Sequence, residues 1–338
     1  MPPRARLPLL ILGFAALAFG VAGGLVRVGA GIPATAGAIG LHGALMVSGF
    51  LGTVIGLERA VALGQRWAYG APLASGVGGV CLIAGLVDSG FPLLAFAAML
   101  LVAASAAVFA RQRSLEMATL LAGAVAWLAG NGLLFLGEPA VPWWIAFFAL
   151  TIGGERLELS RYLKRGPFAR GAFMVLALAL LVAPLTPRLL GVVLVLLALW
   201  LLVFDLARVT VRQTGLPRYI AVCLLSGYAW LALGGTLLAA AYAYDAALHA
   251  IFVGFVFSMV FGHAPVILPA VLRVPLPYRS VLYAPLILLH ASLAARVLGS
   301  LLGDPAILRL GAWGNAAGIA LFIATAATLV LSRRSRTR

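Results

Sequence analysis

Apolar runs of about twenty residues, separated by short stretches carrying charge, proline or glycine, recur along the whole chain. A bilayer core needs roughly 20 apolar residues per helix. The pattern predicts twelve spans, at 7–27, 34–57, 68–88, 91–110, 116–137, 142–161, 170–187, 189–207, 218–242, 246–271, 280–301 and 307–331. Their connections are short, so the twelve are expected to form one all-α, polytopic transmembrane domain over residues 1–338, with no room for a second, soluble domain.

Composition sharpens that reading: 64% of residues are hydrophobic and 10% charged, with a mean hydropathy of +1.11, which excludes a soluble domain with a polar shell. The formal charge of +15 raises nucleic acid as a partner, but the arginines follow the positive-inside rule instead. Arg4, Arg6, Arg59, Arg66, Arg111, Arg113, the 161–170 loop (Arg161, Lys164, Arg165, Arg170), Arg208, Arg212, Arg218, Arg273, Arg279 and the tail RRSRTR fall on one side if the spans alternate. The opposite turns are near neutral or acidic, around Asp88, Glu138, Asp245 and Asp304, with scattered Arg27, Arg188, Arg296 and Arg309. Both termini are therefore expected in the cytoplasm, in a multi-pass protein of the cell's inner membrane. Residues 1–25 have the make-up of a signal peptide; a retained first helix is preferred, because its removal leaves eleven spans. Cys81 and Cys223 stand alone in separate spans and imply neither a disulfide nor a cysteine-built metal site. No heptad, soluble repeat, GxGxxG at a strand-to-helix junction or P-loop is present.

Intramembrane ionisable groups are costly, so their placement carries the chemistry. All four histidines lie within spans. Alternation places His42 in the outer half, His249 near the outer surface, His263 in the inner half and His290 near the middle. His249 and His263 close the run HAIFVGFVFSMVFGH. On an α-helix their spacing puts them within about 40° of one face and about 21 Å apart, so one helix serves two depths. Neutral imidazole is a good axial ligand for haem iron, and His42 and His290 are available as opposing ligands. Each histidine also suits a packing role, satisfied by a main-chain carbonyl or a Ser/Thr hydroxyl.

A second group gathers toward the cytoplasmic side: Glu58 and Arg59 in span 2, Glu155, Arg156 and Glu158 in span 6, and Asp205 in span 8. Glu155 and Glu158 share a helix face, and Glu158 is spaced to pair with Arg161. A structural charge-pair network explains these groups. So do anchoring of haem propionates by Arg59 or Arg156, a proton pathway, or a second-metal site holding copper or non-haem iron. Trp143/Trp144 and Tyr242/Tyr244 read as interface belts. Met46 and Met259, one turn from His42 and His263, read as packing residues or soft ligands. Gly/Ala-rich runs in spans 2, 3 and 5 permit close helix approach, and Pro265 and Pro269 are expected to kink span 10.

With LHGALMVSGFLG in span 2 and HAIFVGFVFSM in span 10, the chain resembles the haem-copper oxidase subunit I superfamily. More particularly it is similar to the NnrS group of haem- and copper-containing membrane proteins linked to nitric-oxide stress. The HAxxxGxxxxM pattern (His249, Ala250, Gly254, Met259) followed by Gly262-His263 carries the second likeness. The resemblance implies a haem-copper-oxidase-like bundle with His42 and His249 ligating a b-type haem near the outer face. It leaves His263 and His290 for a second haem, a metal or a small gas ligand. The departures are equally specific: no histidine stands in spans 6 or 7, where the superfamily carries its copper ligands, so dioxygen reduction at copper is not implied.

Two functions are compatible with these residues. One is a haem b protein, with one or two haems, for electron transfer or for nitric-oxide and other diatomic gas chemistry, either a binder or a haem-dependent oxidoreductase served by an electron donor. The other is a proton-coupled secondary transporter of twelve-helix type, in which the same carboxylates and histidines are protonation sites; a membrane scaffold with structural polar pairs is the third, bland possibility. The topology is directly testable. Reporter fusions in the 161–170 loop and after the tail are expected to read as cytoplasmic, and fusions at Glu138 or Asp304 as external; the reverse pattern inverts the assignment.

Overall fold

The computed structural model describes residues 1–159 and 166–334 and is all-helical, with no strand among the described residues. Arg161, Lys164, Arg165 and the tail from 335 lie outside them, and with them the expected Glu158–Arg161 pair. Among the described residues, ten helices are long and apolar enough to cross a membrane, including Leu115–Phe135, Leu216–Ala239 and Tyr244–Leu272. The two other expected spans are also helical: Trp67–Ile83 is shorter, and Val141–Leu159 carries charge near its C-terminal end. Helix ends fall close to those expected, as in Leu7–Arg27 for 7–27 and Ser280–Leu302 for 280–301. The largest departure is span 2, which continues to Leu63, because Ala60 and Leu63 keep burying an apolar face beyond Glu58 and Arg59.

The chain divides into two compact units, Met1–Gly154 and Glu155–Arg338. In the first unit, span 2 is a composite. Short helices Ala36–Gly40 and His42–Ala44 lead into a π-helical segment, Leu45–Gly52, and then the α-helix Thr53–Leu63. A π turn departs from the usual i−4 hydrogen-bond ladder, and polar side chains surround this one. Ser75 donates its hydroxyl to the Ser48 carbonyl, and Thr53 donates to the Gly49 carbonyl at 2.7 Å. The Ser48 hydroxyl donates to Asn131 Oδ1 at 2.7 Å, Trp144 Nε1 donates to the same oxygen at 3.1 Å, and Trp127 Nε1 donates to Ser48 Oγ at 3.1 Å. Asn131 Nδ2 completes the network on the Leu94 carbonyl at 3.1 Å. Trp144 is therefore not an interface residue as its WW doublet suggested; its indole N–H finds an acceptor inside the bundle, and the ring is buried.

In the second unit, helices meet where side chains are smallest, as expected when lipid removes any hydrophobic drive between helices. Pro187–Phe204 lies so close to Leu216–Ala239 that a Cβ on Gly191 would collide with the main chain of Gly235 and Ala239. The span-10 helix has the same composite build as span 2: α over Tyr244–His249, π over Ala250–Phe257, α again over Ser258–Leu272. The wider π turns alter the angular advance per residue, so the one-face relation of His249 and His263 reckoned for a pure α-helix does not carry over. Pro265 and Pro269 are accommodated inside the last α segment. Tyr242 and Tyr244 are exposed, as an interface position requires.

The network around Asn131 is the first unit's main polar tie. Replacing Asn131 by alanine removes the acceptor of the Ser48 hydroxyl and the Trp144 indole, each orphan costing about 1–3 kcal/mol. Asn131→Ala is expected to lower the thermal midpoint in detergent clearly, and a midpoint equal to wild type would show that the network contributes no stability.

Candidate functional site

The histidines divide into two kinds by what their ring nitrogens do. His42 Nδ1 lies 2.6 Å from the Gly20 carbonyl, His249 Nδ1 2.8 Å from the Asp245 carbonyl and His263 Nδ1 2.8 Å from the Met259 carbonyl. A carbonyl only accepts, so in each neutral ring Nδ1 carries the proton and Nε2 the lone pair. For His249 and His263 the acceptor is the carbonyl one turn back in the same helix. For His42 it comes from the first helix, whose sequence FGVAGGL supplies the space: a Cβ on Gly24 would lie 2.8 Å from the His42 ring. His263 Nε2 is buried without a hydrogen-bond partner.

His290 is the other kind. Trp230 Nε1 donates to its Nδ1 at 2.9 Å, so the proton sits on Nε2, which faces Ser226 Oγ at 3.0 Å. Ser226 passes its own hydroxyl to the Val222 carbonyl at 2.8 Å. The chain Trp230, His290, Ser226, Val222 is complete and directional, and the Trp230 and His290 rings lie side by side, nearly parallel at an interplanar angle of 14°. In this arrangement both His290 nitrogens are engaged.

The acidic and basic candidates separate as well. Arg156 and Asp205 form a buried pair in the second unit, Nε to Oδ2 at 2.8 Å and Nη2 to Oδ1 at 3.0 Å, with side chains 5% and 0% exposed. Asp205 ends the helix Pro187–Phe204, and its Oδ1 also accepts the Ala207 amide at 2.6 Å, so the carboxylate closes one helix and opens the next. Tyr228, wholly buried, lies against this pair with its Oη outside hydrogen-bond geometry. His263 is near enough to feel both charges. Glu155 and Glu158 are half-buried near the end of Val141–Leu159, while Glu58 and Arg59 belong to the first unit, where Arg59 Nε is buried and unpartnered. Among the described residues no three His, Cys, Asp or Glu side chains gather closely enough to hold a metal ion.

Tyr228, Ser226, Trp230 and the pair Asp245–Arg296, 3.3 Å apart, are site features that the sequence pattern does not single out. One signal is present. Ile-Gly-x-Glu-Arg occurs twice, as Ile55-Gly56-Leu57-Glu58-Arg59 and Ile152-Gly153-Gly154-Glu155-Arg156. The π segments carry a second echo: Gly49 and Gly254, each with a phenylalanine after it, stand four residues before a hydroxyl, Thr53 or Ser258, that donates to the glycine's carbonyl. Tyr228 has no such local mark.

Removing one member of a buried ion pair leaves the other uncompensated, a cost of about 3–5 kcal/mol, whereas an apolar pair of similar volume is often neutral. Arg156→Leu and Asp205→Leu are each expected to destabilise by that order in denaturant unfolding, and the double variant by markedly less. Additive single effects would show that the two side chains are not coupled.

No curated protein and no solved structure matches the chain. A family model does, over residues 6–331, and the chain thus belongs to the family described as Domain of unknown function (DUF8744).

Proposed function

We propose that this is a haem b-binding integral membrane protein of NnrS or haem-copper-oxidase type, working in electron transfer or in the chemistry of nitric oxide and other diatomic gases. The observation that carries the reading is the shared arrangement of His42, His249 and His263. Each holds Nδ1 on a main-chain carbonyl and so keeps its lone pair on Nε2, the tautomer and orientation in which histidine serves as an axial ligand. This donor set fits haem, which asks for one or two axial imidazoles, better than a bare metal ion, which asks for three or four protein ligands at one point. Haem supplies reversible one-electron chemistry, and gas binding where one axial position stays open.

The protein's own part is to fix ring orientation and to exclude water. The Gly20–Gly24 notch seats His42, and the helix Tyr244–Leu272 carries the other two imidazoles. His290, with both nitrogens engaged, is assigned to packing. Twelve spans with cytoplasmic termini, in the cell's inner membrane, complete the proposal.

The test is a reduced-minus-oxidised spectrum of detergent-purified protein with a pyridine haemochrome titration. One or two b haems per chain are expected, lost or halved in His42→Ala or His249→Ala and retained in His290→Ala. Two haems place His263 among the ligands. No haem after expression with adequate haem supply overturns the reading. A proton-coupled transporter built around the buried Arg156–Asp205 pair then takes its place.

A further inference from the structure

His249 differs from His263 in one respect. Both give their Nδ1 proton to the carbonyl one turn back, but His249 Nδ1 also stands 3.3 Å from Asp245 Oδ1, and His263 has no carboxylate at ion-pair distance among the described residues. The other oxygen of Asp245, Oδ2, lies 3.3 Å from Arg296 Nη2. Arg296 is only 7% exposed, with Nε buried and unpartnered, so Asp245 is the group that balances its charge. One carboxylate thus joins a buried arginine to a histidine whose far nitrogen is free to bind.

The backbone supports this placement at a cost. Ala241 and Ala243 both adopt positive φ, 51° and 48°, and Ala243 caps the helix Tyr244–His249. Two alanines in the left-handed region within three positions are strained, and such conformations persist where the surroundings hold them. The strained turn delivers Asp245 into the first helical turn, where a negative charge meets the positive end of the helix dipole and lies one turn before His249.

We propose that Asp245, held by Arg296, is a positioning residue that orients His249 and raises the electron-donating power of its Nε2 toward a bound haem iron, and so favours the ferric state; this rests on the haem reading above. A carboxylate on the far nitrogen of a ligating imidazole fixes its tautomer and increases its basicity, and stronger axial donation lowers a haem's midpoint potential. Arg296 moderates the effect by drawing on the same carboxylate. The two side chains therefore act in opposite directions on one haem.

The experiment is spectroelectrochemical titration, with ferric EPR, of purified wild-type protein, Asp245→Asn and Arg296→Gln, tracking the haem that His249→Ala removes. Asp245→Asn is expected to shift its midpoint to more positive potential and to change the g-values of the ferric signal, which depend on the donor strength of the axial imidazole. Arg296→Gln is expected to shift the midpoint the opposite way. Unchanged midpoints with haem retained, or shifts of the same sign in both variants, overturn the proposal, the latter because a general disturbance of the fold has no reason to reverse. Asp245 is 53% exposed, so its amide variant is expected to fold. Should it lose haem, Arg296→Gln, which leaves the carboxylate in contact with His249, decides alone. Absence of haem from the wild type is a different result, and overturns the parent reading rather than this one.

Discussion

In the hydrocarbon core a polar side chain has only protein to bond to, and the nearest acceptor is a main-chain carbonyl, usually one turn back along its own helix. Much of the polar architecture here is a working-out of that constraint. Thr53, Ser258, Ser292 and Thr236 all donate to the carbonyl four residues earlier. His249 and His263 do the same with Nδ1. For a hydroxyl the result is mere satisfaction. For an imidazole it is also a decision, since committing one nitrogen as donor leaves the other as the acceptor that a ligand meets.

The same constraint treats charge in two ways. Arg156 and Asp205 have side chains 5% and 0% exposed and bond to each other in a two-point grip. Such a pair is closed, and its energetic meaning lies in what happens when one half is removed. Arg296 is as deeply buried, but its partner Asp245 is 53% exposed and reaches a third group, His249. That carboxylate is open to solvent on one side and to a candidate ligand on the other. The repeated Ile-Gly-x-Glu-Arg sequence makes the contrast local: Arg156 has an aspartate, whereas Arg59 keeps a buried Nε without a partner.

The span pattern is legible in the sequence because apolar length is a property of each segment by itself. Span 2 reads as ending at Glu58–Arg59 because charge reads as a helix end, although a bundle tolerates charge inside a span when neighbours cover it. Trp144 misleads for a related reason: a tryptophan doublet near a span end suggests headgroups, and nothing local reveals that Asn131, thirteen residues earlier, supplies an acceptor. The histidines are legible as candidates from their rarity. Their division into three that hold Nδ1 on a main-chain carbonyl and one engaged at both nitrogens is not, because it depends on Trp230 and Ser226 from another helix. Tyr228 is invisible in the sequence, since its neighbours Arg156 and Asp205 come from distant stretches of the chain.

The π segment Ala250–Phe257 stands between His249 and His263. A stretch of this kind amounts to extra chain packed into a helix without lengthening it in proportion, so it works as an angular setting between the turns on either side of it. Shortening it by one residue and restoring an α path would turn everything from Ser258 onward relative to His249 by less than one α step, because the wider π turns already absorb most of the extra residue. The bearing of His263 relative to His249 is thus set jointly by the count of residues between the two and by the π form they adopt.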